Sequence, residues 1–291
     1  MFFFSKKTTI AASGILQGAT DHHSHILPGV DDGVETMDEA LRILATYEAL
    51  GIKHLWLTPH IMEDIPNTPQ KLEARFLELK AAYTGNITLH LAAEYMIDNH
   101  LRKLLREVEK ESNTDNNCPS FERGTSNAGN IAQEVQDNNN SPSREYPQVE
   151  GVEKKSIVEG VELLPIGSKG NHLLVETSYY NPPMRFRETL RQIKSLGYHP
   201  LLAHPERYMY MDNDEYQELH NEGVRFQLNL PSLCGAYGNT VKKRAQWLLK
   251  NGLYDAIGSD THCEDAIEFI TKCKLGKKEV EQVSTLLQNE L

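Results

Sequence analysis

The sequence lacks any long apolar stretch. No segment of its 291 residues approaches the roughly 20 apolar residues that a membrane-spanning helix needs. The apolar triplet at residues 2–4 comes before Lys6 and Lys7, the reverse of the order in a secretory signal peptide. We therefore expect a cytoplasmic protein with no stable membrane insertion, and we interpret residues 1–17 as an N-terminal extension with a frayed start.

Cysteine is scarce and lacks the spacing of known reactive motifs. The four cysteines, Cys118, Cys234, Cys263 and Cys273, form no C-x-x-C pair. This pattern favours free thiols in a reducing cytosol over a disulfide framework. No cysteine has an arginine six positions later, and no Walker-type glycine-rich loop is present. Cysteine-nucleophile phosphatase chemistry and P-loop chemistry therefore have no support.

Positive charge is also in deficit. The chain has 30 lysine and arginine residues against 41 aspartate and glutamate residues, a formal net charge of −11. A broad electrostatic hold on nucleic acid or on an anionic membrane is therefore not expected. A phosphate ligand would need local positive charge, such as that of a bound metal ion.

Short β-rich runs alternate with amphipathic segments along most of the chain. Strands are predicted at residues 19–25, 54–60, 87–94, 172–176, 199–204, 224–230 and 254–260. Helices are predicted at residues 36–50, 68–83, 183–196, 212–221 and 240–251. This alternation predicts a parallel α/β sheet, either open or closed into a barrel.

Residues 108–161 interrupt this pattern. The segment is rich in Asn, Ser, Glu and Gly and has few apolar residues. It cannot bury enough apolar surface to offset its chain entropy. We interpret it as a polar, disordered insertion in one domain that spans residues 18–291.

Metal-binding side chains recur at the predicted strand ends. Six of the seven strands end in such a group: His23 and His25, His60, Glu94, Glu176, His204, and Asp260 with His262. His23 and His25 lie at i and i+2, so both face the same side of their strand. Each residue alone has an ordinary structural explanation. Their repetition predicts an active site on the face of the sheet where parallel strands end.

The composition of this set indicates its chemistry. Imidazole and carboxylate ligands without thiolate suit Mn²⁺, Fe²⁺ or Zn²⁺. With Asp32 from a D-D-G turn the set has nine members, more than one ion needs, so two or three ions are expected. Clustered ions polarise phosphoryl oxygens and lower the pKa of water. The sequence therefore predicts a metal-dependent phosphoesterase.

The order of the motifs resembles a known family. HSH at 23–25, DDG at 31–33, TPH at 58–60, HPERY at 204–208 and SDTH at 259–262 resemble the polymerase and histidinol phosphatase (PHP) superfamily. Within it, HSHILPGVDDG, LTPH and HPERY are similar to the manganese-dependent protein-tyrosine phosphatases of bacterial capsule and exopolysaccharide systems, the CpsB/CapC/YwqE type. The resemblance covers about residues 18–107 and 160–265.

The resemblance implies a distorted (β/α)7 TIM-like barrel with a trinuclear metal site. One ion would be held by His23, His25, Glu94 and Asp260; Glu94 would bridge to a second, completed by Glu176 and His204; Asp32, His60 and His262 would hold the third. Mn²⁺ is the implied cofactor, with Fe or Zn as alternatives. A metal-bridged hydroxide would attack phosphorus, with Arg207 stabilising the phosphoryl oxygens. The implied partner is a phosphotyrosine protein, the tail of a bacterial tyrosine kinase.

One departure concerns phosphate binding. The family's pattern carries a second arginine shortly after its last D-x-H motif, and no arginine follows His262 here. Phosphate binding would then rest on Arg207 alone, on Lys272 or Lys274, or on an arginine elsewhere.

Three other functions stay open at this point. A small-molecule phosphatase of the histidinol-phosphatase kind would need the same metals and a closed pocket. A catalytically impaired metal-binding regulatory protein would explain the missing arginine. A nuclease-type proofreading module is disfavoured by the negative charge. The sequence does not indicate the oligomeric state.

Overall fold

All seven predicted strands are present in the computed structural model, which describes residues 7–115 and 162–291. The second and third predicted strands are each divided into two short segments. The strands are β1 (Thr8–Thr9), β2 (Thr20–Asp21), β3 (His54–Leu57), β4 (His60–Ile61), β5 (Thr88–Leu91), β6 (Glu94–Met96), β7 (His172–Glu176), β8 (His199–Ala203), β9 (Arg225–Asn229), β10 (Ala256–Gly258) and β11 (Lys274–Leu275).

The helices begin and end where the sequence provides caps. Thr36 precedes α2 and accepts a hydrogen bond from the backbone N–H of Glu39, while Gly51 ends the helix in the left-handed region at φ 92°. The helices are α1 (Ile10–Ser13), α2 (Met37–Leu50), α3 (Pro69–Ala82), α4 (Asn99–Asp115), α5 (Phe186–Ser195), α6 (Asn213–Asn221), α7 (Leu230–Cys234), α8 (Gly238–Lys250), α9 (Glu264–Lys272) and α10 (Lys277–Gln288). A 3-10 turn covers Pro205–Arg207.

The strands close into a barrel. One sheet has the order β2-β3-β5 and another β10-β9-β8-β7-β6-β4, with every pairing parallel. Strands β2 and β10, the first and last of the barrel, meet through a hydrogen bond from His22 N to the carbonyl oxygen of Ile257 and an isolated parallel bridge between Ser24 and Thr261. The second and third strands of the barrel are interrupted after Leu57 and Leu91, and these interruptions distort the barrel. The predicted distorted (β/α)7 barrel is confirmed.

Alternating side chains of the strands divide the core into two layers. Leu173 and Val175 of β7 belong to the large cluster that includes the helix residues, whereas Leu174 belongs to a smaller cluster with Leu201 and Ala203. Because successive strand residues face opposite sides, the smaller cluster fills the inside of the barrel. The polar residues at the carboxyl ends of the strands form a separate layer on top of this apolar cluster.

Residues next to both predicted boundaries of the domain take part in its secondary structure. Thr8 pairs with Leu275 across β1 and β11, and Ile10 is fully buried, so this part of the predicted extension packs against the barrel. Helix α4 continues through Asp115 because Leu101 and Leu105, one turn apart, anchor its start in the core. Residues 108–115 are therefore helical. Residues 1–6, which include the apolar triplet, and 116–161 lie outside the described residues.

The cysteines also differ from the sequence-based expectation. Cys234 at the end of α7 and Cys273 just before β11 form a disulfide, with Cα atoms 5.4 Å apart. Cys263 is free and exposed. The spacing of 39 residues could not show this pair, because the barrel brings α7 and β11 together. Within the described ranges, no helix is long and apolar enough to cross a membrane.

We predict that reducing this disulfide destabilises the fold. Closing a loop of this length stabilises a protein by up to about 4 kcal/mol through the unfolded chain. Cys234→Ser should therefore lower the melting temperature, and a reductant should lower that of the wild type but not of the variant. Cys263→Ser, at an exposed thiol, serves as the control. Equal melting temperatures with and without reductant would show that the pair contributes nothing.

Candidate metal centre

The nine candidate ligands gather at the carboxyl end of the barrel. They lie at the strand ends and in the loop after β2: His23 and His25 follow β2, His60 begins β4, Glu94 begins β6, Glu176 ends β7, His204 follows β8, Asp260 and His262 follow β10, and Asp32 lies before α2. Seven of the nine are buried; Asp32 is exposed and His262 is half-buried. Closure of the barrel thus brings together side chains that are up to 239 positions apart, from His23 to His262.

The first group of ligands is centred on paired imidazoles. His23 Nε2 lies 3.0 Å from His25 Nε2 and 3.1 Å from Glu94 Oε2. Each of these two nitrogens also lies 3.5 Å from Asp260 Oδ1. Two imidazole nitrogens and two carboxylate oxygens that converge at these distances form the kind of donor set that holds a divalent cation.

The second group shares Glu94 with the first. His204 Nε2 lies 3.1 Å from Glu94 Oε1 and 3.8 Å from Glu176 Oε2. His60 Nδ1 lies 3.3 Å from Glu94 Oε2 and 3.3 Å from Glu176 Oε1. This buried nitrogen has no hydrogen-bond partner among the described residues. An orphaned ring nitrogen facing two carboxylates fits a cation between them.

The third group lies nearest to solvent. Asp32 Oδ1 is 3.4 Å from His60 Nε2 and 3.7 Å from His262 Nε2. Donor atoms of His25, Asp32, His60 and His262 all lie within 4.8 Å of one another. His60 therefore faces the second and third groups with its two ring nitrogens, whereas the resemblance assigned it to the third alone.

The charges in the site need compensation. Burial opposes ionisation of Glu94, but contacts with the imidazoles of His23, His204 and His25 hold its pKa well below its usual value. Burial and the charges of Glu94 and Asp260 raise the pKa of Glu176 well above its usual value. The imidazoles thus compensate the charge of Glu94 more fully than that of Glu176. Bound divalent cations would compensate both, so the residues present fit such ions.

Residues behind the ligands orient them. His23 Nδ1 lies 2.9 Å from Gln227 Oε1, and His25 Nδ1 lies 2.8 Å from Asp31 Oδ2. An Nδ1–H that donates to either oxygen leaves Nε2 free to face the site. Sequence reasoning missed both partners. The signals were Gln227, a polar residue between Phe226 and Leu228 in β9, and the first aspartate of D-D-G, which was interpreted as a turn.

Backbone strain marks two of the ligand positions. His204 and Asp260 have φ values of 34° and 53°, the left-handed region that non-glycine residues rarely adopt. Asp260 is held there by two contacts: its N–H donates to the carbonyl oxygen of His23 at 2.8 Å, and Asn229 Nδ2 donates to its Oδ2 at 2.8 Å. Buried Asp21 accepts from the backbone N–H groups of His23 and Ser259 and so ties both strand ends together.

We predict that Asp31→Ala weakens metal binding. The variant loses the acceptor for His25 Nδ1–H and for the backbone N–H of His60. Loss of such an orienting partner costs about 10- to 100-fold in metal affinity. Titration against a metal indicator measures it, with Asp64→Asn at an exposed position as control. Unchanged affinity in Asp31→Ala would contradict the orienting role of this carboxylate.

Arg207 lies at the edge of the ligand cluster. Its Nη1 donates to Asp260 Oδ2 at 2.9 Å, and its side chain is 16% exposed. It lines a cleft of about 540 Å³ together with Glu176, His204 and other ligands. Among the described residues it is the only arginine or lysine that lines this cleft. Lys272 and Lys274 do not line it.

Comparison with known proteins gives a consistent result. A family model described as "Capsular polysaccharide synthesis, CpsB/CapC" matches residues 19–118 and 113–282. A putative tyrosine-protein phosphatase CapC of Staphylococcus aureus is 24% identical over 83% of this chain and 76% of its own length. The tyrosine-protein phosphatase CpsB of Streptococcus pneumoniae is 25% identical over 84% of each chain.

The fold has a counterpart among solved structures. The crystal structures of YwqE from Bacillus subtilis and CpsB from Streptococcus pneumoniae are described as those of "unique metal-dependent tyrosine phosphatases". A chain from that work aligns with a TM-score of 0.62 and 18% identity, over 93% of this chain and 88% of the other. At this identity the likeness shows a shared fold.

Proposed function

Because this chain belongs to the CpsB/CapC family of capsular polysaccharide synthesis, we propose that it is a metal-dependent protein-tyrosine phosphatase. Such an enzyme is a phosphoric monoester hydrolase. The relatives carry this activity in their names, and the candidate metal-ligand geometry of this chain supports it independently.

One observation carries the proposal. Three overlapping groups of imidazole and carboxylate ligands share Glu94, His25 and His60, and a guanidinium lies beside them in an open cleft. Ligand sharing of this kind suits two or three ions that lie close together. Bound ions would supply Lewis acidity toward phosphoryl oxygens and would lower the pKa of water to near neutrality.

The residues of the chain bind and orient the phosphoryl group. The N–H groups of Arg207 are positioned to donate to non-bridging oxygens as negative charge grows on them. The imidazoles and carboxylates fix the positions of the cations, and Gln227 and Asp31 fix the ring orientations. Cys263, the free cysteine of the described residues, does not line the cleft and has no part in this chemistry.

The shape of the cleft favours a protein-borne substrate. Two of its lining residues, Tyr180 and Tyr237, are 75% and 40% exposed, so the wall of the cleft reaches solvent. A histidinol-phosphatase-like enzyme would enclose its small substrate. We therefore propose phosphotyrosine in a protein, the tail of a bacterial tyrosine kinase in the cytoplasm, as the substrate. Mn²⁺ is the proposed ion, with Fe²⁺ or Zn²⁺ as alternatives.

We predict that activity depends on bound metal and on no thiol. The purified protein with Mn²⁺ should hydrolyse phosphotyrosyl peptides faster than histidinol phosphate, measured as phosphate release under one metal condition. Chelation should abolish the activity, because the charge that binds the phosphoryl group is lost. A thiol alkylator should leave it intact. Activity that survives chelation, or a preference for histidinol phosphate, would refute the proposed function.

We predict that His204→Ala and Arg207→Ala both remove most activity but differ in metal content. His204 Nε2 faces Glu94, so its loss removes a ligand atom. Arg207 contacts Asp260 through a hydrogen bond and faces the cleft, so its loss should leave the ions in place. Elemental analysis of both variants distinguishes the two roles. Equal metal loss in the two proteins would show that Arg207 supports the metal centre and not the substrate.

A further inference from the structure

The guanidinium of Arg207 lies between two tyrosine rings. Its Cζ atom is 4.3 Å from the ring centroid of Tyr179 and 4.3 Å from that of Tyr237. Both distances are within the roughly 6 Å over which a cation is attracted by an aromatic face. The guanidinium therefore packs over the faces of two rings, and its N–H groups, one of which donates to Asp260, remain as its means of binding a ligand.

The inner ring belongs to an aromatic stack whose middle member is buried. Tyr179 stacks on Tyr208 with ring centroids 6.2 Å apart, and Tyr208 stacks on Tyr210 at 5.9 Å. Tyr208 is fully buried and donates from its hydroxyl to the carbonyl oxygen of Ala203. The carbonyl oxygen of Tyr179 accepts from the N–H of Met209. Tyr179 is thus a fixed surface against which Arg207 packs.

The outer ring is held by the segment between α7 and α8. Tyr237 immediately precedes α8, and the two flanking glycines, Gly235 and Gly238, have φ values of 90° and 87°. The Cys234–Cys273 disulfide fixes the start of this segment. We call Tyr179 and Tyr237, the two tyrosines that pack on Arg207, the clamp. Tyr237 is 40% exposed, so it forms the solvent side of the clamp.

Stacking on the two tyrosine rings holds Arg207 at a place where the attraction of Asp260 for its guanidinium is shared with other groups. Asp260, the one carboxylate that Arg207 contacts within the described parts of the chain, also accepts from Asn229 and faces the imidazoles of the first ligand group. Divalent ions bound there would share its charge and repel the guanidinium. The attraction of a ring face for a cation depends on no carboxylate, so it keeps Arg207 beside the ions.

We propose that Tyr179 and Tyr237 are positioning residues that fix the plane of Arg207 and direct its N–H edge at the phosphoryl group. This inference rests on the proposed phosphatase function. It explains how one guanidinium, the only arginine or lysine lining the cleft among the described residues, serves phosphate binding there. A free arginine would lose rotamer freedom on binding, whereas a clamped one is already oriented.

Tyr237 is the residue to test, because Tyr179 is part of the core stack. Tyr237→Leu removes the outer ring face, and Tyr237→Phe keeps it. We expect Leu to raise KM for a phosphotyrosyl peptide by about 3- to 30-fold and Phe to change it less than about 2-fold. Metal content should stay unchanged in both. Phe269→Leu, at a residue of similar exposure (43%) outside the cleft, is the matched control.

A double-mutant cycle separates positioning from general stability. In an Arg207→Ala background, Tyr237→Leu should cause no further rise in KM, because no guanidinium remains to be positioned. The proposal would be overturned if Tyr237→Leu raised KM equally in both backgrounds, or if Tyr237→Leu and Tyr237→Phe had the same KM. Calorimetric binding of inorganic phosphate to the metal-loaded proteins should show the same pattern. The phosphate-binding measurement tests the positioning role of the two tyrosines even if the wild type is inactive. An inactive wild type would refute the phosphatase function but not this positioning role.

Discussion

Negative charge buried at the carboxyl end of the barrel is the constraint on which the site depends. Glu94, Glu176 and Asp260 are buried side by side, and an isolated ionised carboxylate in such a place is strongly unfavourable. The imidazoles of the cluster compensate Glu94, but the pKa of Glu176 is raised because compensation there is incomplete. Divalent cations bound among these side chains would complete the compensation, which is why the arrangement fits a metal centre.

The rest of the fold can be understood as the support for this cluster. Apolar side chains fill the barrel below the cluster, and the closure between β2 and β10 brings His23 next to Asp260. Two ligand positions are in strained left-handed backbone, which persists only when surrounding contacts determine it. Asn229 supplies such a contact at Asp260, and buried Asp21 holds the neighbouring Ser259 and His23. The packing and hydrogen bonds of the barrel thus hold the strained backbone and the buried carboxylates of the site in place.

Much of this could be predicted from the sequence, because the responsible signals are local. Apolar runs indicated the seven strands, six of which end in His, Glu or Asp, and Thr36 and Gly51 marked the ends of a helix. The ligand candidates followed from one rule, that parallel strands end on the same face. Their roles as ligands stay a prediction until ions are observed.

Other features depend on packing that no local pattern records. Tyr179 and Tyr237 are 58 positions apart and meet only through Arg207. The Cys234–Cys273 pair needs α7 and β11 to be neighbours, which the order of elements does not reveal. The charged residues after Val108 looked like an insertion because their anchors, Leu101 and Leu105, come earlier in the helix. In each case the tertiary fold, not the sequence spacing, sets the contact.

The most direct test of the central claim is an anomalous-scattering map of crystals grown with Mn²⁺ and measured at the manganese absorption edge. The account predicts two or three peaks around Glu94, with His23, His25, His60 and His204 nitrogens within about 2.0–2.3 Å of them. Peaks elsewhere in the molecule, or none at the carboxyl end of the barrel, would contradict it.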